Sequence, residues 1–174
     1  MKRILIWVPL AAFVLVLALV ASGIFSPGER TIKSAMVGQP VPAIPLPALI
    51  EGKPGVQAGF ATGRPRLVNV FASWCAPCIA EAPQLMALKR AGVEIDGIAT
   101  ADTAADMQAF LRRNGDPFAR IGDDRNRRFQ FALGSAGVPE TFVVDGRGII
   151  VEQHIGDVRA TDVPKLLAAL ERAR

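Results

Sequence analysis

Cys75 and Cys78 are the two cysteines of the chain, and both belong to one C-x-x-C segment, Cys75-Ala76-Pro77-Cys78. Thiols at this spacing can do two kinds of chemistry: they cycle between dithiol and disulfide, or they supply half of a tetrahedral metal site. A purely structural bridge is a poor third reading, because so short a loop constrains the unfolded chain very little. Zinc needs about four ligands, and the single histidine, His154, is distant in sequence, so a metal would require a second copy of the chain. Redox exchange is the expectation, with no metal and no cofactor beyond the cysteine pair itself.

That chemistry needs a position that stabilises a thiolate. Residues 67–72, LVNVFA, form an apolar run of strand length that ends at the motif, and the spacing predicts a helix over 77–90 with Pro83 inside it. A helix start offers free N–H groups and the positive end of the dipole, so Cys75 is the expected nucleophile. Cys78, one turn further in, is the expected resolving thiol. Pro77 suits the first helical position, and Trp74 sets an apolar surface beside the sulfur.

The remaining elements follow from periodicity and punctuation. A buried strand is predicted over 93–99, a helix from Thr103-x-x-Asp106 through 113 closed by Asn114-Gly115, and a shorter helix over 124–133. Strands at 141–144 and 148–155 flank a tight turn at Asp145-Gly146-Arg147-Gly148, and a last helix covers 162–173. Four prolines in 38–49, at positions 40, 42, 45 and 47, exclude a helix and favour extended chain at a sheet edge. The stretch 51–66 reads as loop with a short hairpin. Together these predict an α/β domain, a mixed sheet covered by helices on both faces.

Residues 4–25, ILIWVPLAAFVLVLALVASGIF, are uncharged and follow Lys2 and Arg3. Their length matches the roughly 20 residues that cross a bilayer, so they read as a spanning helix or a signal peptide. Leu19 stands at the minus-three position before Ala21, a poor cleavage signal, so an uncleaved signal anchor is expected. Lys2 and Arg3 then stay cytoplasmic and everything after Phe25 faces outward. The organisation is anchor 1–25, tether 26–37 and one domain 38–174. A chain of 174 residues with 51% hydrophobic content supports one substantial core. A formal charge of +4, partly from Lys2 and Arg3, excludes nucleic acid as an indicated partner.

"FASWCAPC" resembles the active-site strand and turn of thioredoxin-like proteins, and "GVPETF" resembles their cis-proline loop. More specifically, Gly38-Gln39-Pro40-Val41-Pro42, the WCAPC segment followed by Glu81, and Gly137-Val138-Pro139-Glu140-Thr141 resemble the thiol-disulfide interchange proteins of cytochrome c maturation, the CcmG/DsbE family. The resemblance implies a thioredoxin fold and an inner-membrane protein with its domain in the periplasm. Its implied reaction is reduction of the C-x-x-C-H cysteines of apocytochrome c, and its implied reductant is a membrane thiol-disulfide transporter of the DsbD/CcdA type. It also implies that Val138-Pro139 is a cis bond facing the dithiol, and that Glu81 and Glu140 are the acids around it. Asn69 occupies the place where many thioredoxins bury an acid, which implies that a proton carrier there is missing. At 100–102 related proteins often carry a tyrosine that this chain lacks.

By itself Glu81 reads as a solvated charge on a surface helix. Glu140, on a loop against the dithiol, would raise the Cys75 pKa. His154 reads as structural, and Arg125, Arg127 and Arg128 as a wet helix face that could meet a partner. Two other functions compete: a broader exported thiol reductase or oxidase acting on other disulfide proteins, and a non-enzymatic binding or holdase domain.

Overall fold

The computed structural model describes Trp7, Pro9, Leu10 and residues 12–17, 36–58 and 60–174. The chain divides into two units, Met1–Ile32 and Lys33–Arg174. In the first, residues 12–17 are helical, and Trp7, Leu10 and Phe13 are exposed. Among the described residues no helix is long and apolar enough to cross a membrane. Most of the expected anchor 4–25, and positions 26–35 of the expected tether, lie outside the described residues.

The second unit is a five-stranded mixed sheet with helices on both faces. Its elements are β1 (Arg66–Phe71), α1 (Ala76–Arg90), β2 (Ile95–Thr100), α2 (Ala104–Asn114), β3 (Arg120–Asp124), α3 (Arg128–Ala132), β4 (Glu140–Val144), β5 (Ile150–Ile155) and α4 (Val163–Arg172). The strand order is β3-β2-β1-β4-β5. The first three strands run parallel and β4 and β5 are antiparallel to their neighbours. β1 lies in the centre and is buried along its whole length. It therefore reads as an unbroken apolar run rather than an alternation.

Alternation of side chains across the sheet creates two cores. Leu67, Phe71, Ile95, Ala99 and Val143 face α1, α2 and α4, meeting Leu85, Leu88, Met107, Phe110 and Leu166. The Phe71 ring stacks on Phe118 at 4.3 Å and meets Phe110 at 5.8 Å. Gly97 makes room for this: a Cβ there would stand 2.8 Å from the Phe71 ring and 2.9 Å from Phe118. The opposite core joins Val68, Val70, Ile98, Phe142 and Val144 to Phe129 of α3 and to Leu133, which caps its C-terminus. Each large side chain buried in this way stabilises the fold by about 1.5–3 kcal/mol.

The proline-rich stretch seals both sheet edges. Ile150 N–H donates to Gln39 O (2.9 Å) beside β5, and Asp123 N–H donates to Pro47 O (2.9 Å) beside β3. Val41 and Leu46 between these ends, and Val56 beyond them, cover the second core. The hairpin expected within 51–66 is displaced: Val56 pairs back with Leu46 of the proline-rich stretch through two backbone hydrogen bonds. Packing is already present at Met36, just before the expected start of the domain.

One strand departs from the sequence reading. RIGDD at 120–124 carries no apolar alternation, yet it forms β3 because β2 pairs one side and the carbonyls of Pro47 and Pro54 accept from the other. The helix expected over 124–133 is accordingly shorter. Asp124 ends the strand and its carboxylate caps α3, accepting from Phe129 N–H (3.0 Å) and Gln130 N–H (2.8 Å).

Candidate active site

β1 ends at Phe71, and the chain turns through Ser73 and Trp74 into α1, whose N-cap is Cys75. Ala76 is the first helical residue, so Pro77 stands at the second position, where its missing N–H is equally harmless. Cys75 and Cys78 form a disulfide with Cα atoms 5.3 Å apart, and the Cys78 N–H donates to Cys75 Sγ (3.3 Å). Cys75 is the more accessible of the two, 5% exposed against 1% for Cys78. A free N–H aimed at Cys75 Sγ stabilises negative charge on that sulfur when the bond opens.

The turn before the disulfide is fixed by a residue that sequence reasoning missed. The buried Asp102 carboxylate accepts from Ser73 N–H (2.6 Å), Ser73 Oγ–H (2.8 Å) and Thr103 N–H (2.8 Å). Thr103 in turn caps α2 by accepting from Asp106 N–H, while its hydroxyl donates to the Asp106 carboxylate (2.7 Å). The cap is therefore not the reciprocal box expected, because Asp102 already holds the Thr103 N–H. Next to it Ala101 takes a left-handed conformation (φ 48°) and its carbonyl accepts from the Trp74 indole (3.0 Å). Trp74 is 58% exposed, its ring held by this one bond beside the disulfide. Replacing Asp102 by Ala leaves the buried Ser73 N–H and hydroxyl without their partner, so it should cost about 1–3 kcal/mol of stability. Urea unfolding of the oxidised chain measures this, and an unchanged midpoint would refute the anchoring role.

The helix residue Glu81 is not the solvated charge expected of it: it is 1% exposed. Cys78, Ala82, Leu85 and Leu88 form the buried stripe of α1, and position 81 lies within it at helical spacing, a signal present in the sequence. Glu81 Oε1 accepts from Asn69 Nδ2 (3.1 Å) and Oε2 from Val158 N–H (3.0 Å). Burial pushes the Glu81 carboxyl up from 4.5 to about 7, against the opposing effect of those two bonds, and nearby Asp157 adds to the rise. Position 69 itself carries no acid, as its Asn implied, but a buried carboxyl of raised pKa stands against it. The acid comes from the facing helix and rests on Asn69, whose amide also donates to Thr141 Oγ1 (3.0 Å). Asn69 Oδ1 is left without a protein partner.

The Val138-Pro139 bond is cis, as the motif implied. Val138 packs against the core cluster that contains both cysteines, and Pro139 is buried. Gly137 O accepts from Gln130 Nε2 (3.2 Å) and from Ser135 Oγ (2.9 Å), tying this loop to α3. Glu140 is the buried first residue of β4 rather than a loop carboxylate. Its oxygens accept from Ala136 N–H (3.1 Å) and Gln153 Nε2 (2.7 Å). By alternation it shares the sheet face of Phe142, opposite the face on which Thr141 meets Asn69 and Glu81. Its geometry braces the proline loop, and the carboxylate next to the dithiol is Glu81. His154 Nε2 pairs with Asp157 O (3.2 Å) at the end of β5.

A sheet of this order, with a disulfide capping α1 and a cis-proline loop packed on the same core, defines a thioredoxin-fold thiol-disulfide oxidoreductase. Residues 36–170 match the Redoxin family. The chain is 41% identical over 143 residues to thiol:disulfide interchange protein HelX of Rhodobacter capsulatus, covering 80% of this chain and 81% of that protein. It is 40% identical over 129 residues to thiol:disulfide interchange protein DsbE of Haemophilus influenzae, covering 74% and 71%. A crystal structure described as a DsbE thiol:disulfide interchange protein from Chlorobium tepidum superposes with a TM-score of 0.65 at 26% identity, covering 79% of this chain and 96% of that one. The chain belongs to the Redoxin family and, within it, to the DsbE and HelX thiol:disulfide interchange proteins. It is an enzyme of dithiol-disulfide exchange that acts on cysteine-containing client proteins, which retires the holdase reading.

Proposed function

We propose that this protein is a periplasmic reductant that opens the disulfide of apocytochrome c C-x-x-C-H segments before haem attachment. Residues 4–25 hold it in the inner membrane as an uncleaved anchor, residues 26–37 tether it, and 38–174 form the thioredoxin-like domain. The uncharged run behind Lys2 and Arg3 supports this placement. The carrying observation for exchange chemistry is the Cys75–Cys78 disulfide at the start of α1, with the buried Glu81 carboxyl one turn beyond Cys78; kinship with the DsbE and HelX proteins supports the reducing direction.

In the reduced protein the Cys75 thiolate attacks one sulfur of the client disulfide. That bond breaks, a mixed disulfide forms and one client thiolate leaves. Glu81, with a pKa of about 7, takes the Cys78 proton. Cys78 then attacks Cys75 Sγ, the second client thiol departs, and the protein is left with the Cys75–Cys78 disulfide. A membrane thiol-disulfide transporter of the DsbD/CcdA type returns two electrons to that bond. Asn69 serves both states of Glu81: it donates to the carboxylate, and the same amide turned over presents Oδ1 to the carboxylic acid. Trp74, Val138 and Pro139 receive the client chain, Glu140 braces their loop, and Pro77 opens the helix that carries the dithiol.

The test is capture. Full-length Cys78→Ser, expressed in cells that make c-type cytochromes, should accumulate in the membrane fraction as a mixed disulfide with C-x-x-C-H polypeptides. Conjugates with many unrelated secreted proteins, and none with apocytochromes, would replace this reading by a general exported thiol reductase.

A further inference from the structure

The turn between β3 and α3 and the first residue of α3 carry three exposed arginines, Arg125, Arg127 and Arg128. Arg125 pairs with Asp123. Among the described residues Arg127 and Arg128 have no acidic partner. Parallel β1, β2 and β3 end at the same pole, so this turn lies at the dithiol end of the sheet. Backbone bonds fix it there. Asp124 O accepts both Arg127 N–H (2.8 Å) and Ala101 N–H (3.4 Å), and Ala101 O in turn holds the Trp74 indole (3.0 Å). On its other side Gln130 bonds Thr100 Oγ1 (2.8 Å) and Gly137 O (3.2 Å), joining the turn to the cis-proline loop. The segment that carries Arg127 and Arg128 is thus bonded both to the loop that holds Trp74 and to the cis-proline loop.

Two further features point outward. Arg127 stands in the left-handed region (φ 57°), which glycine occupies without a steric penalty. Strain retained in a long charged residue beside a reactive centre favours a role for its side chain. Phe131, four positions after Arg127 and three after Arg128 on α3, is 67% exposed. Two unpaired cations beside an exposed aromatic ring suit a segment that is acidic with an apolar residue, and they disfavour a basic one.

We propose that Arg127, Arg128 and Phe131 form a docking rim for client polypeptides that carry acidic residues next to their disulfide. The inference names the partner chemistry of the site described above and rests on the exchange reaction proposed there. The rim raises the rate of the first attack through encounter, so its effect falls with ionic strength.

The experiment uses the reduced full chain in neutral detergent and oxidised C-x-x-C-H peptides with acidic, neutral or basic flanks, followed by stopped-flow tryptophan emission. At low salt the acidic peptide should react about tenfold faster than the neutral one, and high salt should remove the difference. Arg127→Gly/Arg128→Gln should also remove it, since glycine fits the backbone at 127; Arg127→Asn/Arg128→Gln serves as a second fold-compatible pair. Arg112→Gln/Arg113→Gln, the same change of charge near the far end of α2, should keep it. Equal rates for all three peptides, or equal loss in the α2 variant, would overturn the rim while leaving exchange intact. Failure to reduce any peptide would overturn both. Loss of sedimentation with phosphatidylglycerol vesicles in the Arg127→Gly/Arg128→Gln variant, without an acidic-peptide preference in the wild type, would assign the cations to lipid and also overturn the proposal.

Discussion

Cys75→Ser is expected to abolish reduction of a C-x-x-C-H peptide, with a loss of roughly 10⁴-fold or more, the scale on which removal of an attacking group acts. Cys78→Ser should retain the first attack and stall after it. The asymmetry comes from the helix start. Cys75 caps α1, its sulfur receives the Cys78 N–H at 3.3 Å, and it is the more exposed of the pair. Mass spectrometry of the purified variants after incubation with oxidised peptide decides the matter. A stable adduct on Cys75 in the Cys78→Ser chain, and none in the Cys75→Ser chain, is the predicted pattern. Equal adduct formation by both would reverse or cancel the assignment of roles.

Glu81→Gln is expected to act in opposite directions on rate and on stability. In the wild type the charged fraction of Glu81 grows as pH rises through about 7, so resolution of the mixed disulfide should accelerate through that range. The glutamine variant has no base there. Its resolving step should slow by about 10²-fold at neutral pH, and its rise should move towards the ionisation of an ordinary thiol. Stability follows from the same shift. Between pH 4.5 and 7 the folded protein keeps a proton that the unfolded chain has released, so the oxidised wild type loses stability as pH rises across that window and is level above it. The loss is at most about 3 kcal/mol. The variant lacks that dependence, because an amide does not titrate; it keeps its packing because its oxygen can still accept from Val158 N–H while Asn69, turned over, accepts from its NH₂. Urea unfolding at pH 5 and pH 8, alongside quenched-flow resolution, tests both halves. A variant that is as fast as the wild type at neutral pH, or that loses stability from pH 5 to 8 as the wild type does, would remove Glu81 from the mechanism.

The contrast between Glu81 and Glu140 shows where reading along the chain stops. Both are legible as acids of the motif, and their roles are not. Glu140 follows the loop proline in sequence, which suggests a carboxylate aimed at Cys75. In the fold, strand alternation turns it to the other sheet face, where it braces Ala136 and Gln153. Glu81 reads as helix surface by its charge, although its spacing from Cys78, Ala82, Leu85 and Leu88 puts it on the buried stripe. What buries it is the Asn69 and Val158 pair, 12 positions before it and 77 after it.

The chemistry of the protein is written in local signals. A cysteine pair after an apolar strand, a proline suited to a helix start, paired strands around Asp145-Gly146-Arg147-Gly148 and the Gly137–Thr141 loop each involve neighbours a few residues apart. Periodicity, capping and turn preference act over that range, so the oxidoreductase class, the β1–α1 junction and the β4–β5 hairpin are readable without coordinates. Tertiary structure alone decided what required partners from distant segments. β3 exists because β2 and the proline carbonyls satisfy its backbone on both sides, although its own residues are mostly polar. Asp102 anchors Ser73 across 29 positions, and burial brings the Glu81 carboxyl up to about 7. The helical stripe of Cys78, Ala82, Leu85 and Leu88 marks which way Glu81 faces, but what a charged side chain does is set by the dielectric and the hydrogen-bond partners that folding brings around it.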